Sequence, residues 1–502
     1  MMEKRILIIG SGLGGLLSGF LLSKEGFKVT ILEKHRKFGG CLQTFNRDRY
    51  TFDTGIHYIG SMAPGQTIHN YWKYFGLSDR LDLVKMDENG FDRISYFGTE
   101  YPLAQGFDNF KERLLAYFPD EASALNSYTQ NLHEIVNSHP LYNLELPAGS
   151  YSDHYKSILA GSFLSDLSSG IRHSASGIRL SDILAGNNFL YAGNPATTSI
   201  AELSLINHSF ISSAWRLAGG SQHIVDILVD GITRNGGRVL ARKKVVGIHK
   251  KGESFHVSTK DGDLFEADQI VSDIHPVSTL ELLDGIPVQK AYNNRIRSLP
   301  NSISVFTVYL GLKPESFPFL NYNLYKYKTD YIWSALPSRG DKWPNSFLFM
   351  TPPEKEQGAF ANTAVAMATM NFEEVREWEK SESGTREKSY FVFKAKKAKL
   401  LLDAVYEQFP DLKEAIVTIE ISTPLTWRDY TGTVNGSMYG IVKDAANPQK
   451  STILPKTKIS GLYFTGQSIN LHGALGVTIG AVMTCGEILG LANVINSIKR
   501  TL

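Results

Sequence analysis

The period of apolar and polar positions changes several times along the chain, and each change predicts an element. Behind Arg5 the run Ile6-Leu7-Ile8-Ile9 is unbroken, as in a parallel strand buried on both faces. Leu16, Leu17, Phe20 and Leu21 follow at helical spacing, and Gly26 stops that helix. Phe27 to Leu32 reads as a second strand with Glu33 at its end. FKERLLAYFPDEASALNSYTQNLHEIV, from residue 110, carries apolar residues at i, i+3, i+4 and i+7 and predicts helix. AGGSQHIVDIL predicts another helix, followed by Gly236-Gly237, the strand Arg238-Val239-Leu240 and a strand holding Val245 and Ile248. Residues 267–273 read as a return strand. SISVFTVYLGL, NYNLYKYK and ANTAVAMATM, between residues 302 and 370, are strand candidates rich in β-branched and aromatic residues. Leu462-Tyr463-Phe464 is a late apolar strand, and an apolar, glycine-rich helix opens near Gly473.

The junction of the first strand and helix carries the first chemistry. Gly10, Gly12 and Gly15 spell G-x-G-x-x-G, with Leu13 and Gly14 inside it. The first glycine permits a tight turn, the second lets backbone approach a pyrophosphate, and the third lets helix pack on strand. The helix start then aims free N–H groups and its positive end at the phosphates. Strand, helix, second strand and Glu33 stand in the order of a dinucleotide-binding unit. The Glu33 carboxylate is placed to accept from an adenosine ribose and disfavours a 2′-phosphate, which makes NADP the poorest candidate here.

Bulk properties narrow the class. With 502 residues the chain exceeds one compact core, and roughly two or three domains are expected. Apolar residues at 42% and charged residues at 20% mark a folded globular protein. A net charge of +2 argues against nucleic acid as a partner. Two cysteines, Cys41 and Cys485, make neither a disulfide framework nor a metal site, so no metal is expected and a reducing, cytoplasmic setting fits. MMEKR followed by an apolar run imitates a signal peptide, but the glycine spacing and the next strand predict a retained unit. No charge-free apolar run reaches about 18 residues, so no membrane span is expected. In residues 388–410 lysines stand beside aromatic and aliphatic residues. They read either as a solvated face over packed Phe391, Leu402, Val405 and Phe409, or as a peripheral membrane contact.

Five further stretches carry a resemblance. KHRKFGGCLQTF, with Gly39-Gly40, is followed by FDTGIHYIG at residues 52–60. YPLAQGFDNFKERLLAYFPDEASAL, AWRLAGGSQHIVDILVDGITRNGGRVL and GLYFTGQSINLHGALGVTIGAVMTCGEILG follow in order. Together they closely resemble the retinol saturase branch of the phytoene desaturase and carotenoid isomerase flavoprotein superfamily. The resemblance implies an α/β fold with a discontinuous Rossmann-type FAD-binding domain of the amine oxidase and phytoene desaturase kind, a sheet-based substrate domain and a helical cap. It implies FAD as cofactor, held by Gly10, Gly12, Leu13, Gly14, Gly15, Glu33, Lys34, Gly39 and Gly40. Val245 is expected at the adenine edge, Gly466 and Gln467 at the ribityl chain, and Gly473, Ala474 and Gly476 at the isoalloxazine. Cys41 stands where the superfamily usually has arginine, and Gln467 where it often has an acid.

These regions converge only if residues 1–65, 213–288 and 430–502 form the FAD-binding domain. Residues 66–212 then make a mainly helical cap and residues 289–429 a substrate-binding domain, its aromatics (Phe306, Tyr309, Tyr322, Tyr325, Tyr327 and Trp333) suiting a tunnel. The implied activity is that of an FAD-dependent oxidoreductase on carbon–carbon double bonds of a lipophilic polyene or isoprenoid, by saturation, desaturation or isomerisation. An amine oxidase-like flavoenzyme and a non-catalytic lipid-binding flavoprotein are the alternatives. His57, Tyr58 and His472 are the candidate proton donors, because their segments are expected at the flavin. No second glycine motif follows a strand, so NAD(P)H binding transiently in the same cavity and another electron donor both stay open. The sequence does not disclose an oligomeric state.

Overall fold

The structure, a computed structural model, describes residues 4–149, 179–329, 332–335, 343–469 and 471–502. The soft segment LAGSFLSDLSSG, read as part of the cap, lies outside the described residues. Five parallel strands form the first sheet, in the spatial order Arg238–Leu240, Lys28–Leu32, Arg5–Ile9, Gln269–Ser272 and Leu462–Phe464. The fold is the expected α/β one, and its first sheet draws strands from the start, middle and end of the chain. Ile6, Leu7, Ile8 and Ile9 are all buried, as a strand covered on both faces requires.

Helix Leu13–Lys24 packs on one face of this sheet, between helices Gln222–Arg234 and Gly473–Leu489. Leu16, Leu17 and Leu21 share one core with Ile224, Leu228 and Val482. Small residues let the three helices come close: Gly14, Gly15, Ser18 and Gly19 are all buried. The carboxyl ends of the parallel strands carry Gly10, Glu33, Asp273 and Thr465, so a crevice for ligand opens at that edge.

A second sheet of seven strands runs Ile416–Ser422, Ser304–Leu312, Thr363–Met370, Ser346–Met350, Asn323–Tyr327, Asp92–Tyr96 and Thr99–Leu103. It is antiparallel except where Asn323–Tyr327 meets Asp92–Tyr96. Every residue of Ser304–Leu312 and Thr363–Met370 is buried, because both faces are covered. Phe306, Val308, Ala364, Ala366 and Phe349 pack against Tyr390, Leu401, Leu402 and Val405 of helix Lys388–Gln408. Val305, Tyr309, Tyr325, Leu348 and Met367 turn the other way, towards Phe52, Tyr58, Trp427 and Met438. Phe391, expected beneath the lysines, stands exposed instead.

Residues 66–212 are not uniformly helical. Helices Phe107–Leu115 and Ala122–Asn137 form as expected, separated at Pro119. However, Leu83–Lys85 pairs with Ala214–Leu217, and Asp92–Tyr96 with Thr99–Leu103 makes a hairpin that extends the large sheet. Its turn, Phe97-Gly98, has positive φ at both residues, the geometry that lets a two-residue turn follow the strand twist. Among the described residues no helix is long and apolar enough to cross a membrane.

Candidate active site

A cavity of about 640 Å³ runs from the crevice at the parallel strands to the inner face of the large sheet. Its two ends differ in chemistry. Backbone turns and ionisable groups line the first, and Phe189, Leu190, Ile206, Phe210, Leu348, Met367, Trp427 and Met438 line the second.

At the polar end the glycine loop is held from three sides. Glu33 accepts from the Ser11 amide at 3.1 Å and the Ser11 hydroxyl at 2.6 Å with one oxygen, and from the His35 amide at 2.9 Å with the other. Its remaining lone pairs are available to ribose hydroxyls. The Gly39 amide donates to Ser11 O at 3.0 Å, which seats the Gly39-Gly40 turn on the loop. The Lys243 amide donates to Glu33 O at 2.7 Å, which brings Val245 to the same end. Lys34 lines the cavity there, and burial holds its ammonium below the usual range. Helix Leu13–Lys24 starts at Gly12 with no side-chain cap; the Gly12 and Gly15 amides meet Asp273, and the Leu13 and Gly14 N–H groups are left to face an anion.

Close approach explains the glycines. A Cβ on Gly14 would lie 2.7 Å from the Gly466 amide nitrogen, so the glycine loop and the Gly466 turn touch backbone to backbone. Gly466 itself adopts φ +88°, and a Cβ there would meet Asp273 Oδ1 at 2.5 Å. Gly10, Gly12, Leu13, Gly14, Glu33, Lys34, Gly39, Gly40, Val245, Gly466, Gln467, Gly473 and Ala474 all line the cavity. Gly15 and Gly476 do not. A Cβ on Gly15 would strike Gly10 O at 2.4 Å, and one on Gly476 would strike the Leu471 carbonyl carbon at 2.4 Å. Both act by letting a helix start sit close to the preceding chain.

Two carboxyls tie the motifs together. Asp53, from FDTGIHYIG, accepts from the Ser221 amide at 2.8 Å and hydroxyl at 2.7 Å, joining that stretch to AGGSQHIV. Asp273, read from sequence as the end of a core strand, lies against Gly12, Gly14 and Gly466. Burial, opposed by the Gly15 amide and aided by the Glu33 charge, pushes its carboxyl up to about 8. It is therefore neutral at pH 7 and adds no negative charge beside a pyrophosphate. The cradle of tight turns, open amides, ribose acceptor and neutralised acid fits FAD lying from Val245 to Ala474.

The three proton-donor candidates all line the cavity but differ in readiness. His57 has both ring nitrogens buried and unpartnered, and burial, with the Arg216 charge, pushes its pKa down to about 4. His472 places Nδ1 3.2 Å from Glu202 Oε1 and Nε2 3.0 Å from Leu190 O, and stacks on Tyr439, so neither nitrogen is spare. Tyr58 is hydrogen-bonded to the Tyr325 hydroxyl at 2.6 Å and to Asp92 Oδ2 at 3.0 Å. Of the six aromatics expected to line a tunnel, Tyr325 alone does so.

Comparisons with known proteins agree with this geometry. The family model described as flavin containing amine oxidoreductase matches residues 13–381. All-trans-retinol 13,14-reductase of Danio rerio is 27% identical, over 96% of this chain and 85% of its own. The 4,4'-diapolycopene oxygenase of Methylomonas sp is 23% identical, over 94% of this chain and 95% of its own. An oxidoreductase of Methanosarcina mazei shares the fold with a TM-score of 0.64 at 16% identity, covering 96% of this chain and 100% of its own.

Proposed function

The chain belongs to the flavin-containing amine oxidoreductase family, and from that premise we propose that it saturates a carbon–carbon double bond of a lipophilic polyene. It is a flavin oxidoreductase with FAD as cofactor. The observation that carries the substrate class is the apolar half of the cavity. Among the described residues the acids lining the cavity, Glu33, Asp273 and Glu281, all belong to its dinucleotide end. A protonated amine entering the other half would meet no counter-ion among the described residues, and burying such a charge unpaired is costly. A polyene carries no charge to compensate. The name of the Danio rerio relative, a retinol reductase, supports the same class.

Reduced flavin supplies a hydride when bound, and the chain supplies the rest. Gly14 and Gly466 bring two backbone turns to the cofactor, while Phe189, Phe210, Met367 and Trp427 exclude water and align the substrate. Residues 1–65, 213–288 and 430–502 act as the FAD-binding unit, with the large sheet as the substrate floor. Helix Lys388–Gln408 sets exposed Phe391 and Val392 near exposed Lys388, Lys396 and Lys399, a face suited to peripheral contact with a bilayer that holds the substrate.

The test is anaerobic. Protein with reduced flavin is mixed with all-trans-retinol or a carotenoid, flavin reoxidation is followed by absorbance, and the product is chromatographed. Reoxidation with a product two hydrogens richer is expected. Isomerised product with flavin still reduced, or no reaction with any polyene, overturns the saturase reading.

A further inference from the structure

We propose that Asp92, Tyr58 and Tyr325 form a proton-delivery chain in the cavity floor, with the Tyr325 hydroxyl as the donor to substrate carbon. The proposal rests on the saturase reading above and adds two residues that no motif marks. The three groups come from separate parts of the chain. Tyr325 and Asn323 lie on one face of strand Asn323–Tyr327, and Asn323 stands opposite Asp92 in the parallel register. Tyr58 enters from FDTGIHYIG, just before strand Ile59–Gly60.

Donor counting limits how protons run along the chain, and the direction proposed is the one that ends at Tyr325. Asp92 Oδ1 accepts from Asn323 Nδ2 at 2.8 Å, and Asp92 Oδ2 meets the Tyr58 hydroxyl at 3.0 Å. The Tyr58 and Tyr325 hydroxyls are 2.6 Å apart. With Asp92 ionised, Tyr58 donates to Asp92 and Tyr325 donates to Tyr58, so both hydroxyl protons are used inside the chain. With Asp92 protonated, its proton goes to the Tyr58 oxygen and the Tyr58 proton to the Tyr325 oxygen. The Tyr325 O–H is then left over, at a fully buried residue packed against the cavity wall. One proton on a buried acid thus decides whether the cavity contains a phenol ready to give a proton.

The surroundings suit a proton that comes and goes. Asp92 is fully buried and faces Tyr58, Tyr325, Tyr327, Asn323, Asn187 and the Arg216 charge. Burial, opposed mainly by the Asn323 and Tyr58 hydrogen bonds, pushes its carboxyl up to about 7. Tyr327 donates to Gly186 O and Asn188 Oδ1 and so stays out of the chain. Arg216, completely buried, donates to Asn323 Oδ1 at 2.7 Å and to three carbonyls. Its charge, one residue removed, steadies the carboxylate left after transfer. His57, which also feels the Arg216 charge, is neutral at pH 7.

The step balances. One alkene carbon takes a hydride from reduced flavin, which is oxidised, and the neighbouring carbon takes the Tyr325 proton. The π bond is replaced by two C–H bonds. Tyr325 recovers a proton from Tyr58 and Tyr58 from Asp92, and Asp92 is reloaded back through the two tyrosines, which line the cavity, when the cavity empties. Tyr325 is the catalytic residue of this chain, and Tyr58 and Asp92 position and reload it.

The experiment has two readouts. Infrared difference spectra of the protein without substrate, taken across neutral pH, are expected to show two protonated-carboxyl bands, one lost near pH 8 that Asp273→Asn removes and one lost near pH 7 that Asp92→Asn removes. Turnover with a polyene is expected to fall as pH rises through about 7. Tyr325→Phe and Tyr58→Phe should slow saturation by about 10²–10⁴-fold, the usual share of a general acid, while keeping both infrared bands. Asp92→Asn should lose the pH limb. If Asp92→Asn does not fold, the two phenylalanine variants, each lacking one oxygen, still decide. A carboxyl at Asp92 that titrates in the ordinary acidic range, or Tyr325→Phe working at the wild-type rate, overturns the proposal. Wild type that saturates no polyene removes the functional reading, and the infrared titration then decides the proton store alone.

Discussion

Replacing Gly14 by alanine should separate the flavin from its fold by a calculable amount. The added methyl would sit 2.7 Å from the Gly466 amide nitrogen, 2.8 Å from Gly466 Cα and 2.7 Å from Asp273 Oδ1. Carbon contacts are comfortable near 3.5–4.0 Å, so the deficit is roughly 1 Å. Two of the three neighbours are backbone, and the third is pinned by Gly12 and Gly466. Relief requires the Gly466 turn to move away from the glycine loop. Overpacking of this kind costs about 1–3 kcal/mol. The two turns face one cavity, so the strain divides between folding and flavin affinity. Borne wholly by affinity, it weakens FAD binding by about 5- to 140-fold. Gly19→Ala is the control on the same helix. Its methyl would meet Ile31 Cδ1 at 2.7 Å, the mobile end of a side chain, and alanine in a helix interior gains up to about 1 kcal/mol over glycine. Apoprotein titrated with FAD by fluorescence, and melted with and without it, reads both effects. Wild-type FAD affinity and melting in Gly14→Ala, or a larger loss in Gly19→Ala, would refute the close-approach reasoning.

Three other outcomes are expected. Asp273, neutral below about 8, becomes a carboxylate beside the loop as pH rises, so FAD affinity should fall through that range and Asp273→Asn should flatten the profile; binding titrations from pH 6 to 9.5 check it. Its folded-state pKa lies above the ordinary carboxyl value, so apoprotein stability should also decline between that value and about 8, and a pH-independent melt would count against its burial in the free protein. Glu33→Ala strips the acceptor from Ser11 and His35, and hydrogen bonds to a charged group are worth about 1.5–3 kcal/mol, so FAD should bind about 10- to 140-fold more weakly by equilibrium dialysis. Cys485 is fully buried and its thiol is pushed up to about 12, so it should not alkylate at pH 7 until the chain is unfolded, as mass spectrometry would report.

What could be read along the chain was whatever lay in one contiguous stretch. Gly10 to Glu33 is a complete strand–helix–strand unit, and its pattern is local. Gly466 and Ala474 were findable because a late strand runs straight into an apolar helix. Asp273 was hidden by its own strand: it ends an apolar run, and only the approach of Gly12 and Gly466 makes it part of the cradle. Tyr325 was hidden among aromatics of like pattern. Phe306 sits on a neighbouring strand candidate yet faces helix Lys388–Gln408, and nothing local says which face meets the cavity. The hairpin around Phe97-Gly98 was lost because a short polar pair of strands becomes a sheet edge only beside Asn323–Tyr327. His472 stood in the right segment, but its nitrogens are spent on Glu202 and Leu190, which lie far away in sequence.

The outermost strand of the parallel sheet, Leu462–Phe464, carries a consequence for how the protein is made. During translation, strands Arg5–Ile9 and Lys28–Leu32 leave the ribosome long before it, and at about 5–20 residues per second the wait is on the order of tens of seconds. Until then Gln269–Ser272 offers an unpaired edge, and helix Leu13–Lys24 lacks the Gly473–Leu489 helix that covers it. The nascent chain must hold an unfinished sheet in a crowded cell for that interval. The order in which the strands appear therefore sets the interval over which that edge is open to other chains.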